Sequence, residues 1–176
     1  MRLFIALNFS PRFREALSDI TGRLAAESVF GRPTPPENHH LTLAFIGESE
    51  RAEELGRLLL PAPGPAFTLV TARPGLFRRS GGDVCWLGLA KDPDLTGLQR
   101  ELARRLNDAG FELERRPFRP HLTLLRQAVF PPEFDLAAWG ADLPALHERI
   151  DRVSLMESRR AGSRMVYREV SGVDLP

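Results

Sequence analysis

Apolar residues recur along this chain with two periods, and the switches between them mark out its elements. Residues 3–9 read as a first strand. Ser10 then offers an N-cap with Pro11 at the first helical position. Phe13, Leu17, Ile20 and Leu24 follow at helical spacing and predict one apolar stripe. Residues 31–38 hold three prolines and read as a loop. A strand is predicted over 39–46, stopped by Gly47, and a short helix over 51–60, ended by Pro61. Residues 67–71 and 84–89 read as strands, with 75–82 as a bend or short strand pair between them. Asp92 and Pro93 repeat the cap signal. Leu95, Leu98, Leu102 and Leu106 form a second helical stripe closed by Gly110. A short edge strand is expected at 111–114, a further strand from His121, and closing strands at 150–157 and 165–170, with Gly162 in the turn between the last two.

Two long helices, each accompanied by several strands, suggest a duplicated α+β unit of about 80 residues, too long and too few in copies for a solenoid. The expected architecture is a bilobal fold: two antiparallel sheets line a central cleft and the helices lie outside. No linker or low-complexity stretch divides the halves, so residues 1–176 are expected to form a single two-lobed domain.

The two halves share four letters. His40-Leu41-Thr42-Leu43 recurs 81 residues on as His121-Leu122-Thr123-Leu124. In a strand, alternation sends His and Thr to one face and both leucines to the other. On this reading Leu41, Leu43 and Phe45 point toward the helices, while His40, Thr42 and Ala44 point away from them. Two such open faces turned inward make a groove lined by two imidazoles and two hydroxyls. Phosphodiester hydrolysis needs a base for the attacking water and an acid for the leaving oxygen, and histidine titrates close enough to neutrality for either role. Threonine hydroxyls can donate to non-bridging oxygens whose charge rises in the transition state. The two histidines would titrate as a coupled pair with a bell-shaped pH–rate curve.

Composition narrows the field further. Hydrophobic residues make up 43% and charged residues 27% of 176, ordinary values for a soluble globular chain. One cysteine, Cys85, rules out an internal disulfide and reads as a buried thiol. Without cysteine pairs, a zinc site of standard spacing is excluded. No apolar run approaches the roughly 20 residues of a membrane helix. The first residues lack a signal-peptide cleavage site, so a cytoplasmic protein is expected. The net charge is +1, yet Lys91 is the only lysine. Arginine therefore supplies almost all the positive charge, and its fork suits phosphate. No Walker-type or dinucleotide-binding glycine motif is present, so no cofactor is expected.

On these motifs the chain resembles the two-histidine phosphoesterases, which carry paired H-x-[ST]-x motifs. Within them it is similar to the RNA 2′,3′-cyclic phosphodiesterases, historically named 2′-5′ RNA ligases. The likeness runs through Arg2-Leu3-Phe4-Ile5-Ala6-Leu7, Glu37-Asn38-His39-His40-Leu41-Thr42-Leu43-Ala44-Phe45-Ile46-Gly47 and Trp86-Leu87-Gly88-Leu89. It continues in Arg116-Pro117-Phe118-Arg119-Pro120-His121-Leu122-Thr123-Leu124 and Leu155-Met156-Glu157-Ser158-Arg159. The resemblance implies a pseudo-twofold bilobal fold and metal-independent opening of RNA 2′,3′-cyclic phosphate ends to 2′-phosphomonoesters. It also implies weak ATP-independent 2′-5′ joining in reverse. Carried over, the catalytic positions are His40 and His121, and the phosphate-binding positions are Thr42, Thr123 and Arg126. Simple alternation puts Arg126 opposite His121, so it reaches the phosphate only if the strand ends or twists near Leu125. His39 stands where relatives usually have leucine and is expected to face away from the site.

Arg119 and Phe118, just before the second motif, are candidate RNA contacts, weighed against a solvated loop with a buried Phe. Arg78-Arg79 and Arg159-Arg160 are weaker candidates of the same kind. His147 reads as a surface residue, and Trp86 and Trp139 read as core. Two alternatives share these features: a cyclic phosphodiesterase acting on ADP-ribose cyclic phosphate or a 2′-5′ oligonucleotide, and a non-catalytic RNA-binding module. The expected partner is an RNA end bearing a 2′,3′-cyclic phosphate, with no metal and no membrane, and the expected state is a monomer.

Overall fold

A computed structural model describes residues 1–162 and 164–176. The strands are β1 (Arg2–Asn8), β2 (Phe30–Pro33), β3 (His40–Glu48), β4 (Phe67–Phe77), β5 (Asp83–Leu89), β6 (His121–Val129), β7 (His147–Ile150), β8 (Arg152–Ala161) and β9 (Arg164–Asp174). The helices are α1 (Pro11–Ala26), α2 (Ala52–Leu58), α3 (Pro93–Asp108) and α4 (Leu136–Trp139), with a 3-10 turn at Pro36–Asn38. Two antiparallel sheets result, in the orders β3-β1-β8-β9 and β2-β6-β5-β4-β7. Each contains one His/Thr strand. The α+β architecture of two such sheets with helices outside is the one expected.

Both long helices begin as their caps dictate. Ser10 Oγ accepts from the Phe13 amide at 3.3 Å, and Asp92 Oδ1 accepts from that of Leu95 at 2.8 Å. Both Ser10 groups also donate to the buried Glu148 of β7, the amide at 2.5 Å and the hydroxyl at 2.9 Å, tying the start of α1 to the second sheet. Phe13, Leu17, Ile20 and Leu24 of α1 and Leu95, Leu98, Leu102 and Leu106 of α3 are all buried. They share one core with Leu3, Ile5, Leu7, Leu41 and Leu43 of the first sheet and with Leu69, Cys85, Leu87, Leu122 and Leu124 of the second. The opposite face of the first sheet carries a separate small cluster, Phe4, Ala6 and Met156 with Tyr167. Phe4 and Tyr167 of that cluster pack against the ring of His40.

Local pattern misjudged several stretches. Residues 30–33, inside the expected proline loop, pair with β6 as β2, because β6 needs a partner on that edge. Residues 111–114 form no strand; Phe111 instead takes the α3 C-terminal carbonyl of Leu106 at 2.9 Å. The expected bend at 75–82 is mostly the continuation of β4, which is irregular between Thr71 and Pro74 and pairs with β5 up to Phe77. The single strand expected at 150–157 is two. Ile150 ends β7 in one sheet, Arg152 starts β8 in the other, and Asp151 marks the crossing. The short helix expected over 51–60 spans Ala52–Leu58, and α4 was not expected. Cys85 is fully buried, and burial pushes its thiol up to about 12, so it is inert at neutral pH. No helix among the described residues is long and apolar enough to cross a membrane.

Candidate active site

His40 opens β3 at the edge of one sheet, and His121 opens β6 within the other. Their rings are held alike. His40 Nδ1 lies 2.8 Å from the Asn38 backbone oxygen, and His121 Nδ1 lies 2.7 Å from that of Arg119. A carbonyl oxygen only accepts, so in each neutral ring Nδ1 carries the proton and Nε2 keeps its lone pair. His40 Nε2 stands 3.1 Å from Thr42 Oγ1, two residues along the same strand face. Thr42, His121, Thr123 and Arg126 line one cleft of about 760 Å³, together with Phe45, Arg78, Arg79, Phe118 and Arg119. The structure therefore gathers every candidate phosphate-contacting side chain named from the sequence, with Phe118 and Arg119 at the same cleft.

Two β-bulges decide what else faces it. On β6, Thr123 pairs with Trp86 but Leu125 pairs with Cys85, so Leu124 is an extra residue. Leu124 and Leu125 are both buried, so the next residue, Arg126, falls one position out of simple alternation. Arg126 thereby moves from the face opposite His121 to the same face, which resolves the difficulty raised by simple alternation. On β3, Thr42 pairs with Ala6 but Ala44 pairs with Ile5, so Leu43 is the extra residue. Ala44 is then buried, and Phe45, 46% exposed, turns into the cleft. The expectation that Phe45 packs toward the helices is corrected by this bulge, while Ala44, although buried, still borders the cleft. The two strands share the device: five residues after each histidine, β6 presents a guanidinium and β3 an aromatic ring.

Aromatic rings also bracket both imidazoles. His40 lies between Phe4 and Tyr167, with ring centroids 5.0 Å away in each case and Tyr167 edge-on at 87°. His121 meets Phe77 at 4.9 Å and 88°, and Trp86 at 6.2 Å. Trp86, expected in the core, is half-buried beside the catalytic candidate. It can lie there because Gly75 of β4 has no Cβ, and one added would collide with the Trp86 six-membered ring. Tyr167 and Phe77 gave no signal in the sequence, because only strand pairing across 127 and 44 residues brings them to the histidines.

This environment disfavours the charged form of both rings. Burial lowers His40 to about 4, partly offset by the bond to Asn38, and the charges of Arg126 and His121 lower it further. Burial likewise lowers His121, opposed by the Arg119 carbonyl and reinforced by Arg126. His39 is turned away from the cleft and only 3% exposed, as expected of its face. Burial and the neighbouring His40 bring it down to about 4 as well. Neither His39 nitrogen has a hydrogen-bond partner among the described residues, although the nearby Thr123 backbone pulls slightly the other way. Among the described residues no cluster of three or more His, Cys, Asp or Glu side chains could hold a metal ion.

Known proteins are similar to this chain in sequence and in fold. A model of the 2′-5′ RNA ligase superfamily matches residues 10–162. A Thermotoga maritima protein named RNA 2′,3′-cyclic phosphodiesterase is 30% identical over 175 residues, covering 96% of this chain and 92% of its own. The Escherichia coli protein of the same name is 35% identical over 142 residues, covering 76% and 79%. The crystal structure of E. coli LigT complexed with 3′-AMP superimposes with a TM-score of 0.79 at 30% identity, over 99% of this chain and 97% of that one. With its whole length matched in fold and nearly all of it matched in sequence, this chain belongs to the 2′-5′ RNA ligase superfamily.

Proposed function

We propose that residues 1–176 act as one two-lobed RNA 2′,3′-cyclic phosphodiesterase that needs no metal ion. One observation carries the mechanism: both Nδ1–H groups are tethered to a carbonyl two residues upstream, so each Nε2 keeps its lone pair, that of His40 lying 3.1 Å from Thr42 Oγ1. His40 and His121 stand on opposite lobes. A cyclic phosphate between them has one imidazole on the side of the attacking water and the other on the side of O3′. One Nε2 takes the proton from water as its oxygen bonds to phosphorus. The other, as imidazolium, gives its proton to O3′ as the P–O3′ bond breaks. The products are a 2′-phosphomonoester and a free 3′-hydroxyl.

Thr42, Thr123 and Arg126 donate to the non-bridging oxygens, so the charge that grows there is met by fixed protein groups. The bound phosphate anion also supports the protonated imidazole, which the free cleft does not. If the 5′-hydroxyl of a second RNA replaces water, the same displacement joins the ends through a 2′-5′ bond without ATP. Phe45 and Phe118 offer aromatic faces to bases near the end, and Arg119, Arg78 and Arg79 offer cations to the backbone. The names of the relatives support the substrate class.

The test is turnover of a short RNA ending in a 2′,3′-cyclic phosphate, in EDTA, with the product identified. Wild type is expected to yield 2′-phosphate. His40→Ala and His121→Ala are each expected to lose about 10²–10⁴-fold. A 3′-phosphate product, abolition by EDTA, or a histidine variant with full turnover would each overturn the reading.

A further inference from the structure

Arg126 has a neighbour that the catalytic scheme does not use. In the register of β2 on β6, Arg32 is the direct partner of Arg126. Directly paired residues leave an antiparallel sheet on the same face, with Cβ atoms about 4.5–5.5 Å apart. Arg126 faces the cleft, so Arg32 stands on the cleft side one strand further out, and both side chains are exposed. Like charges placed opposite each other destabilise a strand pair unless something neutralises them.

Neither arginine is neutralised from within. Among the described residues no carboxylate comes within 4.0 Å of Arg32 or Arg126. Some surface arginines find carboxylates, such as Arg51 with Glu54 at 2.7 Å and Arg152 with Glu169 at 2.8 Å; what sets Arg32 apart is its direct pairing with a second arginine across the strands. The position of Arg32 is also built. The Thr34 amide donates to the Leu124 oxygen at 2.8 Å and the Val29 amide to the Val129 oxygen at 2.8 Å, closing β2 onto β6 from both ends. Arg126 is the guanidinium that the catalytic scheme sets on the reacting phosphodiester. The second guanidinium fits a second negative charge, one strand away from the first.

We propose that Arg32 binds the 5′-phosphate of the terminal nucleotide, extending the anion site of Arg126 outward by one strand. This rests on the RNA-end reading, and it deepens it. The site then recognises a nucleotide carrying phosphate at both ends of its ribose, which an RNA terminus has and a nucleoside cyclic monophosphate lacks.

Calorimetric titration with adenosine 2′,5′-bisphosphate and adenosine 2′-monophosphate, in EDTA at low salt, tests this without turnover. Wild type is expected to hold the bisphosphate about tenfold or more tighter, the worth of one charge-assisted contact. Arg32→Gln is expected to lose most of that advantage while binding the monophosphate within about twofold of wild type. Arg32→Lys should keep part of it, since the charge remains and the fork does not. Equal binding of the two ligands by wild type would overturn the proposal. So would an Arg32→Gln variant weakened equally for both, which would place Arg32 on the reacting phosphate instead. Turnover of a cyclic-phosphate RNA by wild type, measured alongside, separates these failures from failure of the RNA-end reading itself.

Discussion

Replacing His39 by leucine removes a buried imidazole whose nitrogens lack a well-formed hydrogen bond among the described residues, and the effect on stability should depend on pH in a calculable way. The ring is 3% exposed, and neither nitrogen has a partner among the described residues. Its folded value of about 4 lies below the ordinary imidazole value of 6.5. On acidification the unfolded chain therefore takes up this proton first. The contribution of neutral His39 is fully present above pH 6.5 and is lost as pH falls from 6.5 toward 4. Linkage between those two values gives a loss of about 2 kcal/mol at pH 5 and almost none at pH 8. Leucine cannot be protonated, so going from pH 8 to pH 5 should cost His39→Leu about 2 kcal/mol less than it costs wild type. For a chain of this length that corresponds to about 5 °C in Tm. At pH 8 the variant should be no less stable than wild type, because an apolar side chain of similar size replaces unpaired polar atoms. Urea melts of both proteins at several pH values, fitted with a common m-value, provide the measurement. Activity at pH 8 should persist, since the Asn38 tether of His40 is untouched. Parallel stability curves for the two proteins across pH 5–8 would refute the reasoning and place His39 in a hydrated or paired setting.

Four further outcomes are expected. The profile of kcat/KM, which reports the free enzyme, should have its alkaline limb below pH 6.5, because burial and Arg126 lower both histidines; the limb of kcat should lie higher, because bound phosphate supports the imidazolium. A kcat/KM limb above pH 7 would contradict this. Arg126→Gln should lower kcat by about 10²–10³-fold and move both limbs toward alkaline pH, as a missing phosphate donor and a missing cation require; steady-state kinetics across pH read both effects. Gly75→Ala should displace Trp86 and loosen His121, cutting kcat more than it raises KM, with near-ultraviolet circular dichroism reporting the tryptophan. Phe45→Ala should weaken binding of an RNA end by about 1–3 kcal/mol per stacked base, with no such loss for an end whose terminal base is missing.

Much of the fold was legible in the chain because its signals are local. The two helices were visible in caps and leucine stripes, which act within a few residues. The paired His-Leu-Thr-Leu segments were visible because alternation needs only the strand itself, and their recurrence in two halves implied that the strands meet. What local pattern missed were features set by a partner strand. β2 exists because β6 has an open edge there, which no property of Phe30–Pro33 announces.

The extra residues Leu43 and Leu124 reverse the facing of the residues just after them, so period-two reasoning placed Phe45 wrongly and left Arg126 in doubt. A bulge depends on the register of two strands, and register is a tertiary quantity. The sequence by itself thus determined which residues could perform acid/base chemistry, and that they come in two matched copies. Only the tertiary structure decided which side chains join them. It brought Tyr167 and Phe77 against the imidazoles, turned Arg126 and Phe45 inward, set Arg32 beside Arg126, and buried His39. Each of these rests on contacts between segments far apart in the chain, whose alignment is settled by packing the shared core.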